Sequence, residues 1–333
     1  MNDVVWTPDA ATIEHANATR LVRRAGASDY AELVRRSQED PAWFWPLCID
    51  DLGIEFSRPW ERVYDDSRGP EWTTWFTGGR ISIARNCVHR WAERRPDAVA
   101  AVGLGEDGSR RELTFAELSR DVTRLAEQLV SLGVGAGDRV AIFLPMSPEV
   151  AVASHAIAHI GAVQVPVFSG FAAPAVAQRL AASEAKVVIT QPSSSRRGKN
   201  MPMLEILEEA LRESGSTAQV VLAPFELDGF PGELPPLEVD SEAPYLLTYT
   251  SGTTGKPKGV LHVQGGFLVS IAKEAAYQAD VHEGDVMHFA TDMGWIMGPW
   301  TVVGVGALGG TIVFAEGAPD WPAADRLWRF VEQ

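Results

Sequence analysis

The sequence predicts an α/β protein made of two similar βαβ-type subdomains, with parallel sheets flanked by helices. Three observations carry this. From about residue 81, apolar runs of strand length alternate with longer stretches of helical period. A strand–helix–strand unit opened by Gly137-Asp138 recurs from Gly284-Asp285; its closing glycine, Gly161 or Gly309, stands 24 residues on in the first copy and 25 in the second. The chain has 333 residues, 46% apolar and 22% charged, enough for two domains or one large one with a sizeable core.

Residues 1–80 read as a tryptophan-rich N-terminal extension, with helical period over 12–24 and 30–39. Trp43, Phe44, Trp45, Trp60, Trp72, Trp75 and Phe76 follow among prolines and glycines with no regular period. Such aromatics either pin an extended arm onto a larger body or form a ligand-binding patch; the first needs no ligand.

The first α/β subdomain spans 81–244. A helix is predicted over 83–95, then a strand over 98–104, a turn at Glu106-Asp107-Gly108 and a strand over 111–115. Thr114 with Glu117 reads as a capping box opening a helix that runs to Leu132. A strand follows Asp138, and Pro148 opens a helix ending at Gly161. The charge-free stretch 150–168 contains His155, His159, Gln164 and Pro166, which suits a buried helix and strand better than a membrane span. A helix over 175–183 and a strand over 186–190 lead into a polar basic loop, 193–200. A helix over 204–214, a strand over 218–222 and an exposed Pro/Gly/acid-rich connection over 225–244 complete this part.

The second subdomain begins at 245. The buried strand 245–249 feeds Thr250-Ser251-Gly252-Thr253-Thr254-Gly255-Lys256-Pro257-Lys258-Gly259. Glycines let a backbone approach a ligand closely, successive N–H groups cradle anions, hydroxyls donate to phosphate oxygens and lysine adds positive charge. Thr250 to Lys256 is therefore assigned to polyphosphate binding. It is not a Walker loop: Gly252 and Gly255 are too close together, and Pro257 stands where a magnesium-binding hydroxyl belongs. A helix over 265–277 and the second βαβ unit follow. The apolar helical pattern over 322–333 carries no stop signal, which suggests a chain cut within this subdomain.

A net charge of −15 argues against nucleic acid or an anionic membrane as a general partner. Cys48 and Cys87 are not in metal spacing, and no signal peptide pattern opens the chain; both fit a reducing cytoplasm. Gly304, Gly306 and Gly309 satisfy G-x-G-x-x-G but end a helix, so they are assigned to close packing. His155 and His159 lack the glutamate of a metalloprotease helix and are read as structural. His262, beside the phosphate loop, either packs or meets a ligand. Arg196, Arg197 and Lys199 are either a solvated loop or a clamp on a second phosphate-bearing ligand. Ser169 and Gly170 follow a strand and should lie at the ligand-favouring carboxyl edge of the sheet. Trp295 and Ile296 read as core or, preferably, as a wall for a small apolar or acyl group.

The phosphate-loop run resembles the signature of the adenylate-forming superfamily. Within it, the tryptophan-rich arm, Gly294-Trp295-Ile296-Met297-Gly298 and Glu316-Gly317-Ala318-Pro319-Asp320-Trp321-Pro322 resemble the acetyl-CoA synthetase branch. The resemblance implies part of a large N-terminal adenylation domain that uses ATP, Mg2+, a short carboxylate and coenzyme A. It implies that Thr250 and Lys256 act on the ATP phosphates, that Trp295 and Ile296 border the acyl group, and that Arg196, Arg197, Gly198, Lys199, Ser169, Gly170, Met297 and Asp320 lie near CoA. The branch has Thr at the Met297 position, Asn at Asp320 and Arg at Lys199. Its magnesium glutamate, ribose aspartate, hinge and C-terminal lysine are not found before Gln333, so the expectation is a fragment inactive alone, with the C-terminal lid domain absent. Alternatives are a synthetase for acetoacetate, propionate or a longer acid, and a truncated, non-catalytic nucleotide- or CoA-binding module.

Overall fold

A computed structural model describes residues 6–250 and 258–332. Valine, isoleucine and alanine fill the short central strands, and their buried faces organise two sheets. The first has the order Gln219–Leu222, Val187–Thr190, Arg139–Ile142, Val163–Pro166, Pro244–Thr250, Lys258–Val263. Its first five strands run parallel and the last pairs antiparallel. The second has the order Val286–His288, Thr311–Ala315, Val99–Leu104, Arg110–Thr114, again parallel with one antiparallel edge strand. The sequence boundary at 244/245 therefore does not divide the sheets. The hairpin 99–114 completes the second sheet, and strands 244–250 and 258–263 complete the first.

The two βαβ units repeat at the level of single hydrogen bonds. Gly137 and Gly284 both have positive φ, +79° and +84°. Gly137 N donates to Gly161 O at 2.9 Å, and Gly284 N to Gly309 O at 3.1 Å. Asp138 O accepts from Val163 N at 2.8 Å; Asp285 O accepts from Thr311 N at 2.7 Å. Each aspartate side chain also accepts from the backbone N–H three residues upstream, at 2.8 Å in both copies. The repeat is thus a turn device that sets strand entry. The crossover helices, Pro148–His159 and Met297–Ala307, are almost wholly buried. Their small residues let one hydrophobic core reach from Ile142 in the first sheet to Phe314 in the second.

The N-terminal arm is pinned to this body. Asn17 Nδ2 donates to Val281 O at 3.0 Å, Tyr277 Oη to Asp51 at 2.7 Å, and Trp75 N to Glu242 at 2.5 Å. The predicted 12–24 helix is two helices, Ala10–His15 and Asn17–Arg24, because Ala16 is extended. The aromatic run around Trp43 is helical over Pro41–Asp51, where Asp40 caps Trp43 N at 3.0 Å and Pro41 opens the first turn. The predicted 83–95 helix is continuous over 83–94, with a π-helical segment, Arg85–His89, inside it. The Thr114–Glu117 capping box forms as the sequence indicates. The basic loop is an ordered hairpin, Ser194–Arg196 with Lys199–Met201.

Candidate active site

The carboxyl edges of the two sheets meet where Val163–Pro166 and Val286–His288 run out into loops. The joint is Asp292, only 7% exposed. Its carboxylate accepts from Ser169 Oγ at 2.5 Å, Ser169 N at 3.3 Å and Gly294 N at 2.8 Å. Burial raises its pKa, and the bonds from Ser169 and Gly294 oppose that rise. Two glycines make the approach possible. A Cβ on Gly294 would stand 2.5 Å from Phe168 Cβ and 2.6 Å from its Cα; one on Gly298 would stand 2.6 Å from Asp292 O. Glycines therefore bracket Trp295 for steric reasons.

A cavity of about 510 Å³ opens at this joint, lined by Ser169, Arg196, Trp295, Met297 and Pro319 among others. Trp295 is 65% exposed, so it is not a core residue. Ile296, between them, turns to a different cavity.

The basic hairpin is held by carboxylates. Glu106 accepts from Arg197 N and Gly198 N at 2.8 Å each, from Ser195 Oγ at 2.9 Å and from Ala318 N at 3.0 Å. Burial pushes the Glu106 pKa up, but the combined bonds from Gly198, Ala318, Arg197 and Ser195 bring it down to about 2. Glu316 accepts from Ser195 N at 2.9 Å. The hairpin turn uses left-handed conformations at Arg197, φ +54°, and Gly198, φ +68°. The three basic side chains differ in what they meet. Arg196 lines the cavity, Arg197 pairs with Asp320 at 2.8 Å, and Lys199 is exposed on the returning strand. The Arg197 guanidinium holds the Asp320 carboxyl below its ordinary pKa. Arg326 closes the base: it donates to Ala318 O at 2.7 Å and Glu316 O at 2.6 Å.

Thr250 ends the strand Pro244–Thr250, paired with Lys258. Ser251, Gly252, Thr253, Thr254, Gly255 and Lys256 lie outside the described residues. Gly170 follows Ser169 at the rim, where a Cβ would come within 2.7 Å of the Phe168 ring. His159 bonds His89, Nδ1 to Nε2 at 3.0 Å, rather than His155. Burial drives His155 down to about 4; burial, with His159 and His155 nearby, drives His89 down to about 3. These are core histidines. His262 lies half-buried against Phe267, ring centroids 5.4 Å apart, its pKa lowered by burial. Gly304 packs on Ile271 and Ala275, Gly306 on Cys87 and Gly309 on Trp91, as the packing assignment requires. Among the described residues no group of three or more His, Cys, Asp and Glu could hold a metal ion, and no helix is long and apolar enough to cross a membrane.

Sequence reading missed Glu106, Arg326 and the Asp292 carboxylate. In the sequence Glu106 reads only as part of a turn, because its four partners lie about 90 to 210 residues away. Asp292 offered a signal, a carboxylate directly after a strand and before a glycine–tryptophan pair.

Comparison with known proteins gives a coherent picture. Residues 88–333 match the family described as "AMP-binding enzyme", and residues 30–87 match "Acetyl-coenzyme A synthetase N-terminus". "Acetyl-coenzyme A synthetase 2" of Pseudomonas aeruginosa is 36% identical over 324 residues, covering 92% of this chain and 50% of the relative. The acetyl-coenzyme A synthetase of Methanothrix thermoacetophila is 36% identical over 341 residues, covering 96% and 51%. Among solved structures, the acetoacetyl-CoA synthetase from Streptomyces lividans superposes with a TM-score of 0.92 at 32% identity, over 98% of this chain and 53% of that one. The chain spans about half the length of the curated relatives it matches.

Proposed function

Because the chain belongs to the AMP-binding enzyme family, we propose that it carries the phosphate-side and CoA-side groups of an ATP-dependent acyl-CoA synthetase for a short carboxylate. The observation that carries this is the cavity at the sheet joint, which Trp295, Met297 and Arg196 all line. In the reaction, a carboxylate oxygen attacks the α-phosphorus of ATP, the bond to the β-bridging oxygen breaks and pyrophosphate leaves. The CoA sulfur then attacks the acyl carbon, and AMP leaves. Catalysis of this kind is positioning plus neutralisation of phosphate charge. The loop from Thr250 to Lys256 has the composition for the second task. Trp295 and Met297 offer an apolar wall for the acyl group, and Arg196 a cation for a CoA phosphate. Magnesium would arrive with the nucleotide, held mainly by its phosphate oxygens. Cys48 and Cys87 are buried free thiols, in keeping with a cytoplasmic setting.

The test is calorimetric titration of purified residues 1–333 with CoA and with MgATP. Saturable binding of both supports the reading; binding of neither overturns it.

A further inference from the structure

A separate cleft of about 920 Å³ shares no lining residue with the cavity at the sheet joint. It is bounded by the edge strand Arg110–Thr114, the helix Phe115–Ser131, the start of the helix Pro148–His159 and the connection 224–230. A space of this size holds a small molecule. The connection is tied down. Glu127 accepts from Gly232 N at 2.8 Å, Glu233 N at 2.6 Å and Leu234 N at 3.0 Å, and His159 Nε2 donates to Leu234 O at 2.8 Å. Phe230 N donates to Leu227 O at 3.1 Å.

The charges around the cleft are only partly matched. Arg111 pairs with Glu149, and Arg120 with Asp121 at 2.9 Å. Arg124 differs: its Nε is buried and has no hydrogen-bond partner among the described residues. Gly232 packs on its stem, where a Cβ would stand 3.3 Å from Arg124 Cγ. A guanidinium is a planar fork of donors that a carboxylate answers with two parallel bonds, and a buried donor left unpaired is unfavourable. Glu226 and Asp228 line the same cleft, are exposed, and have no ion-pair partner among the described residues. Leu227 and the half-buried Phe225 and Phe230 add apolar surface.

We propose that this cleft binds a small zwitterion with an apolar body, of the class of an aromatic α-amino acid. Arg124 takes its carboxylate, Glu226 or Asp228 its ammonium group, and the phenylalanines its ring. Charge selects the class. With the two ion pairs cancelled, one cation and two carboxylates remain. A dianion would meet two free carboxylates for one free cation. A simple amine would leave Arg124 unanswered, and a simple monocarboxylate would leave both acids unanswered. The site does not depend on the synthetase reading, which rests on the other cavity.

Calorimetric titration of the chain with L-phenylalanine tests this, with 3-phenylpropionate, phenethylamine and glycine as competitors and CoA titrated in parallel. L-Phenylalanine is expected to bind saturably, and each competitor, lacking one of the three recognised parts, about tenfold or more weakly. Arg124→Gln is expected to weaken L-phenylalanine binding about tenfold or more, and Glu226→Gln with Asp228→Asn, at exposed positions, about threefold or more, with CoA binding unchanged in both. Absence of saturable L-phenylalanine binding overturns the site. So does competition by 3-phenylpropionate or phenethylamine at equal affinity, or an affinity unmoved by both sets of substitutions in protein of native circular dichroism. If CoA still binds in those cases, only this site fails and the synthetase reading stands.

Discussion

At the scale of single residues, carboxylates do the fixing and a buried histidine sets an acid limit. Glu106 gathers four donors from two separate loops. Glu106→Gln places an amide where only acceptors fit, and should cost about 1–3 kcal/mol of stability in denaturant titration. It should also loosen the hairpin, measurable as faster proteolysis near Arg197. Because its folded pKa is depressed from 4.5 to about 2, the Glu106 contribution is present above pH 4.5 and lost as pH falls toward 2. His155 is wholly buried and its Nδ1 has no hydrogen-bond partner among the described residues. Its folded pKa of about 4 lies below the ordinary 6.5, so the unfolded chain takes up the proton first. Stability is unaffected above pH 6.5 and falls between 6.5 and about 4, by about 1.4 kcal/mol per pH unit from this group. His155→Leu should make that acid loss shallower by about the same slope, read from urea midpoints across the range. Neither role was legible in the sequence. A histidine on an alanine-rich helix announces burial, but not whether a partner exists, and Glu106 announces only a turn.

At the scale of elements, the glycine-bracketed turn at Trp295 is the decisive local structure. Its sequence was legible as a site because an aromatic and flexible apolar side chains follow a strand. Its geometry was not, because the reason for Gly294 is the Phe168 backbone, far away in sequence. Gly294→Ala would drive a Cβ into that backbone and should destabilise by about 1–3 kcal/mol or more, visible as a lowered thermal midpoint, with the Ser169–Asp292 joint opened. The repeated Gly-Asp turns show the opposite case. Two glycines at positive φ, each followed by an aspartate that caps its own turn, gave a local signal, and both copies fold alike. The basic segment was legible in charge and not in form: a hairpin whose shape depends on Glu106 and Glu316 reads, by itself, as a polar loop.

At the scale of the whole molecule, strand–helix alternation made the α/β class and its parallel sheets readable. Sheet membership was not readable, since the hairpin 99–114 pairs with a strand about 200 residues downstream. That exchange brings Glu106, from the early hairpin, beneath the basic turn and beside the Asp320 loop, and so creates the site. It also assigns the cations unequal tasks: Arg196 lines the cavity, whereas Arg197 is already paired with Asp320. A phosphate-bearing ligand should therefore depend on the first and not on the second. The most direct test is the CoA dissociation constant of the unmodified chain, Arg196→Ala and Arg197→Ala, measured by calorimetry at one salt concentration. The account predicts a loss of about tenfold or more for Arg196→Ala, as expected for a charge-assisted contact, and less than about threefold for Arg197→Ala. Equal losses, or a larger loss for Arg197→Ala, would contradict it.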